Sequence, residues 1–123
     1  MSARAPLALT MGDPAGIGGE IACAARTSGR VRHVFFMLDD PDRLAAIAPG
    51  LPIVPIETPA GAGEAYARGL PVLPFPLAAP AVPGRPDPRN AGVTVASIDR
   101  AVAFARAGRA GAVVTNPINK KVL

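Results

Sequence analysis

Short, wholly apolar runs alternate along this chain with stretches of helical periodicity, and that alternation limits the possible folds more than any other feature. Pro6-Leu7-Ala8-Leu9-Thr10-Met11, Val34-Phe35-Phe36-Met37-Leu38 and Ala112-Val113-Val114-Thr115 are continuous in polarity rather than alternating. A strand with one wet face alternates at every second residue, so runs of this kind predict strands covered on both faces. Between them, Ile17, Ile21 and Ala24 recur at helical spacing ahead of Gly29, and Leu44, Ala45 and Ile47 do so behind an Asp40-Pro41 start that supplies an N-cap carboxylate and a first-turn proline. Ile53-Val54-Pro55-Ile56 reads as a further brief extended piece. Asn90 offers a cap for a long helix whose apolar face is Ala91, Val95, Ile98, Val102 and Ala105, closed by Gly108. From Thr58 to Arg89 proline and glycine recur too often for long elements; this segment reads as mostly loop, with Leu70-Pro71-Val72-Leu73 pairing at a sheet edge. The pattern predicts an α/β fold, a mostly parallel sheet with helices on both faces joined by right-handed crossovers.

At 123 residues the chain supports one small domain or part of a larger one. Half of it is hydrophobic and 18% is charged, a globular and not a disordered composition. No apolar run approaches the roughly 20 residues of a membrane span, and no export signal is legible ahead of the first strand, so no membrane partner is expected. The single cysteine, Cys23, can form neither an internal disulfide nor a metal knuckle; it reads as core filling in a cytoplasmic protein. The net charge of +4 rests on eleven arginines scattered from Arg4 to Arg109 and two lysines at the carboxyl end. Scattered charge with 4% aromatic residues argues against a nucleic-acid partner, which needs stacking platforms and a basic stripe.

Chemistry is expected at the carboxyl ends of parallel strands. One candidate turn there runs from Met11 to Gly19: Gly12, Gly16, Gly18 and Gly19 let backbone approach a ligand, the helix start offers free N–H groups to an anion, and Asp13 is a polar anchor. It is neither a dinucleotide fingerprint, because Ile21 stands where the third glycine would fall, nor a P-loop, because it lacks the lysine. The alternative is a tight strand-to-helix turn with no ligand. The other candidate, Thr115-Asn116-Pro117-Ile118-Asn119-Lys120-Lys121, gathers a hydroxyl, two amides and both lysines where another helix should begin. Lys120 in a first helical turn opposes the helix dipole, which points to a bound anion such as phosphate or carboxylate. Gly12, Asp13, Asn119 and Lys120 are therefore the candidate substrate-binding residues. His33 is the only histidine and reads as a surface strand end, so no zinc site of recognisable spacing exists. Ser28 and Ser97 have no base nearby in sequence to make a nucleophile.

Three stretches carry a resemblance: Leu9-Thr10-Met11-Gly12-Asp13-Pro14-Ala15-Gly16-Ile17-Gly18, Arg85-Pro86-Asp87-Pro88-Arg89-Asn90-Ala91-Gly92 with Ala96-Ser97-Ile98-Asp99-Arg100-Ala101-Val102, and Val114-Thr115-Asn116-Pro117-Ile118-Asn119-Lys120. In this order they resemble the 4-hydroxythreonine-4-phosphate dehydrogenase family of pyridoxal phosphate biosynthesis, whose members are well over twice as long. The resemblance implies an isocitrate/isopropylmalate dehydrogenase-like fold with residues 1–123 as the amino-terminal part of an α/β/α dehydrogenase. It implies oxidation and decarboxylation of a small phosphorylated hydroxy amino acid with NAD or NADP and a divalent metal (zinc, magnesium or cobalt), in a homodimer. The family's metal-ligating histidines and its substrate-binding His-Thr pair match nothing here, so the isolated chain is expected to be an inactive fragment. Gly19 stands where the family has proline, which should loosen the turn. The alternative from another class is a small non-catalytic anion-binding or assembly module.

Overall fold

A computed structural model describes residues 4–118. Five parallel strands form one sheet in the order β3-β4-β2-β1-β5: β1 Leu7–Thr10, β2 Phe35–Asp39, β3 Ile53–Pro55, β4 Leu70–Pro74 and β5 Val113–Val114. Helices α1 (Gly18–Ser28) and α2 (Pro41–Ile47) carry the chain from β1 through β2 to β3 along one face. Helices α3 (Ala62–Arg68) and α4 (Ala91–Arg106) bring it back to β4 and β5 along the other. Reversing the direction of travel while keeping every crossover right-handed forces this change of face. The expected α/β class therefore holds.

The continuous apolar runs are continuous because both faces of the central strands are roofed. Phe36 and Leu38 pack with Ala101 and Phe104 on the α4 side, whereas Phe35 and Met37 pack with Ala22, Cys23 and Leu44 on the other. All five residues of β2 are buried, and each large side chain among them contributes about 1.5–3 kcal/mol by leaving water. Cys23 is buried, as core filling requires. At α2, the Asp40 carboxylate caps the Asp42 and Arg43 N–H groups at 2.9 and 3.4 Å, with Pro41 at the first helical position.

Several expectations are corrected. The segment after Thr58 is not mostly loop: a 3-10 turn at Pro59–Gly61 leads into α3, whose Ala62 and Ala65 pack on the sheet. Its glycines at 61, 63 and 69 hide a helix too short to show periodicity. β4 lies inside the sheet between β3 and β2, not at an edge. The Leu70 N–H and the Val72 carbonyl bond towards β3, so the N–H that Pro71 lacks would have faced β2, and the ladder with β2 starts one residue later at Val72. Asn90 is not a side-chain cap; its amide clamps Ala79, accepting from the Ala79 N–H at 2.9 Å and donating to the Ala79 carbonyl at 3.1 Å, while Asp87 caps the preceding 3-10 turn. The buried face of α4 is Thr94, Ser97, Ala101 and Phe104, and Val95 and Val102 turn to solvent. β5 is a two-residue edge strand, with Val113 half-buried and Val114 exposed. The helix expected beyond Pro117 falls outside the described residues.

Candidate functional site

The Met11–Gly19 and Thr115–Ile118 turns leave the carboxyl ends of neighbouring strands, and the structure brings them into contact. The Asp13 N–H donates to the Pro117 carbonyl at 2.8 Å, and the Asn116 side-chain amide donates to the Thr10 carbonyl at 2.9 Å. Gly12 has φ +68°, and a Cβ there would stand 2.6 Å from the Pro117 oxygen. A Cβ at Gly18 would meet the Asn116 side chain at 2.8 Å. Two glycines are thus required by a close approach of backbone to backbone and of helix start to amide.

Asp13 anchors the loop itself. Its Oδ1 accepts from the Ala15 N–H at 2.8 Å and its carbonyl accepts from the Gly16 N–H at 2.9 Å. Among the described residues Oδ2 has no protein donor, and the residue is partly exposed. Behind the turn, no side chain caps α1, so its first N–H groups remain suited to an anion. Gly16 is exposed at the loop's crest. Asn119 and Lys120 lie outside the described residues, as does Lys121.

Two hydroxyls on α4 hold the turn from behind, and reading Ser97 only as a nucleophile without a base misses this role. Ser97 Oγ accepts from the Met11 N–H at 3.3 Å and donates to the Leu38 carbonyl at 3.2 Å. Thr94 Oγ1 lies 3.3 Å from the Gly12 carbonyl. The available signal was two hydroxyls spaced i, i+3 in a helix otherwise rich in alanine and valine.

On the other flank a buried ion pair supports the loop. Arg43 grips Asp39 with two bonds, at 2.7 and 3.2 Å, and donates a third to the Pro14 carbonyl at 3.3 Å. Burial pushes the Asp39 carboxyl up, and the Arg43 guanidinium pulls it only partway back. A cleft of about 570 Å³ opens here among Gly16, Glu20, Asp42, Arg43, Ala79 and Pro83. The Arg43 charge is spent on Asp39, and the remaining charges on the rim are carboxylates. A phosphate therefore finds no free cation in this cleft, and the Gly12–Gly19 turn is the better anion seat. His33 Nε2 donates to the Ala5 carbonyl at 3.1 Å just ahead of β2, at the opposite end of the strands from either turn. Among the described residues no three His, Cys, Asp or Glu side chains come together as metal ligands, so the divalent ion that the resemblance implies does not fit these residues.

These features define a doubly wound α/β protein whose first strand ends in a glycine turn locked to the turn after its edge strand. The family model for pyridoxal phosphate biosynthetic protein PdxA matches residues 32–123. A 4-hydroxythreonine-4-phosphate dehydrogenase of Methylorubrum populi is 52% identical over 96% of the chain, and one of Xanthobacter autotrophicus is 42% identical over all of it. The chain belongs to the PdxA family, and it spans 36% and 37% of the length of those two relatives. Its fold matches the crystal structure of the 4-hydroxythreonine-4-phosphate dehydrogenase from Klebsiella pneumoniae with a TM-score of 0.83 at 28% identity, over 95% of this chain and 38% of that one. A terephthalate 1,2-cis-dihydrodiol dehydrogenase from Burkholderia xenovorans, 24% identical with a TM-score of 0.72, shares the fold alone. No helix among the described residues is long and apolar enough to cross a membrane.

Proposed function

We propose that residues 1–123 act as the amino-terminal part of a cytoplasmic, homodimeric dehydrogenase that oxidises and decarboxylates 4-phosphohydroxy-L-threonine, and that they supply one wall of its substrate cleft. The overall change takes a hydride from the carbon bearing the hydroxyl to the nicotinamide of NAD or NADP and a proton from that hydroxyl to solvent. The β-keto acid so formed then loses carbon dioxide. In this reading the Gly12 turn and the start of α1 receive an anionic group of the substrate through backbone N–H groups, Asp13 fixes the loop that presents them, and Asn119 and Lys120 complete the anion seat. No step is assigned to a metal here, because the described residues offer no ligand set for one.

The observation that carries the proposal is the direct lock between the turns after β1 and β5, the Asp13–Pro117 and Asn116–Thr10 hydrogen bonds, which makes one surface of two separately recognised motifs. NADH formation is the test. The purified 123-residue chain, given 4-phosphohydroxy-L-threonine, NAD and a divalent cation, is expected to show none. Mixed with the carboxyl-terminal remainder of the Methylorubrum populi relative, it is expected to show turnover. Turnover by the chain alone, or none from a mixture in which the two pieces are bound, contradicts the proposal. A non-catalytic anion-binding module would instead bind inorganic phosphate saturably with or without the remainder.

A further inference from the structure

The two ends of the strands carry opposite charge. Every carboxylate side chain except Asp99, midway along α4, stands at the carboxyl ends of the strands or in the first turns of the helices that leave them. Seven of the eleven arginines stand at the amino ends. Charges that look scattered along the sequence are gathered because each crossover returns the chain to the same end of a parallel sheet. Arg26, Arg68 and Arg106 lie in the last turns of α1, α3 and α4, where a cation offsets the helix dipole. Arg109 stacks over the Phe104 ring at 5.5 Å. Arg4, Arg30 and Arg32 have no such duty: they lie outside helices and are exposed, and among the described residues their guanidinium groups make no ion pair or hydrogen bond. The connections ahead of β1 and β2 are tied together by His33 Nε2, which donates to the Ala5 carbonyl at 3.1 Å, and by the Leu7 N–H, which donates to the Val34 carbonyl at 3.0 Å. A cleft of about 280 Å³ opens there, lined by Arg4, Arg32, His33 and Val34. Two unpaired guanidinium groups thus line one cleft, where they repel each other unless an anion lies between them.

We propose that this cleft at the amino end of the sheet binds a compact anion carrying two linked phosphate groups, Arg4 taking one phosphate and Arg32 the other. The guanidinium fork matches phosphate oxygens in pairs, which gives each arginine a two-bond partner. Arg30, two residues ahead of Arg32 in the same exposed connection, adds to the local positive field. A single phosphate leaves one guanidinium unpaired and binds less well. A nucleic-acid strand also fits less well, since the cleft presents no Phe, Tyr or Trp on which a base could stack. The site lies at the opposite end of the strands from the Gly12 turn and does not depend on the substrate proposal.

The test is titration of the isotopically labelled 123-residue chain with pyrophosphate and, separately, with ADP, following amide shifts by NMR at low ionic strength. Saturable shifts are expected at Arg4, Ala5 and over Arg30–Val34, with inorganic phosphate binding there at least about tenfold more weakly. The tighter of the two probes tells whether the diphosphate is free or carried by a nucleotide. Arg4→Gln combined with Arg32→Gln is expected to weaken pyrophosphate binding at least about tenfold. Arg85→Gln combined with Arg100→Gln removes the same charge elsewhere on the surface and is expected to change it less than about twofold. All four positions are exposed, so neither pair of substitutions disturbs the core. In a single-chain fusion to the carboxyl-terminal remainder of the Methylorubrum populi relative, calorimetry is expected to show the same loss for the first pair alone. Equal loss for both pairs, inorganic phosphate binding as tightly as pyrophosphate, or a single-stranded oligonucleotide that binds more tightly and spreads the shifts to Arg68, Arg106 and Arg109 overturns the proposal. Shifts confined to Gly12–Glu20 overturn it too, and leave the substrate reading standing.

Discussion

At Gly12 a single added methyl group decides whether the turn after β1 can form. The residue combines φ +68° with a backbone oxygen 2.6 Å from where Cβ would stand. Gly12→Ala is expected to cost about 2 kcal/mol or more in urea denaturation. Gly19→Ala is expected to cost about 1–2 kcal/mol, because its Cβ would meet the movable end of Ile47 at 2.9 Å and also, at 3.0 Å, the Arg43 guanidinium that is held on Asp39. Gly19 therefore lets α2 close on the turn, a packing role that comparison with a family proline does not reveal. Arg43→Met, which strands the buried Asp39 carboxylate, is expected to cost about 3 kcal/mol at neutral pH. Burial already holds the Asp39 carboxyl above its ordinary value, so the charged form is the one that opposes folding. The deficit in Arg43→Met should thus narrow as pH falls through that raised value and widen as pH rises through it, which denaturation at pH 5 and pH 7 would show. At this scale the sequence reading located Gly12 and Asp13 by their spacing after an apolar run. It missed Arg43 because an Asp and an Arg four residues apart, one ending a strand and the other in the helix after it, look like any solvated surface pair until burial is known.

Among the elements, α4 shows most clearly what periodicity can and cannot tell. Ala91, Val95, Ile98, Val102 and Ala105 do mark a helix, but the helix rolls so that Thr94, Ser97, Ala101 and Phe104 face the sheet. Two apolar stripes lie side by side on it, and hydrophobicity alone favours the stripe richer in branched residues over the one carrying two hydroxyls. Those hydroxyls bond the Met11 N–H and approach the Gly12 carbonyl, giving the buried stripe polar partners that only the folded sheet supplies. Ser97→Ala is expected to destabilise by about 1–2 kcal/mol, since it leaves the Met11 N–H buried without its partner. Val95→Ser is expected to be within about 0.5 kcal/mol, and the two measured side by side distinguish the faces. β1 and β2 were legible because both their faces are apolar. The helix α3 was not, because seven residues between glycines carry too few turns to set a period.

For the molecule as a whole, the sequence conveyed the doubly wound architecture, since strand and helix signals alternate and right-handed crossovers leave few arrangements. The position of β4 inside the sheet was hidden by Pro71, which is tolerated only because its missing N–H falls one residue before the ladder with β2 begins. That Asn116 and Thr10, 106 residues apart, share a hydrogen bond is a property of strand order and could not be read from either motif. This contact between the turns after β1 and β5 makes them one surface, and on it the substrate-binding proposal stands. The most direct measurement is a titration of the isotopically labelled chain with 4-phosphohydroxy-L-threonine, following amide shifts by NMR. Saturable shifts confined to Gly12–Glu20 and Asn116, with a Kd of about a millimolar as befits half a pocket, are the predicted result. Shifts centred on the Asp42–Ala79 cleft, or none at either turn, would contradict it.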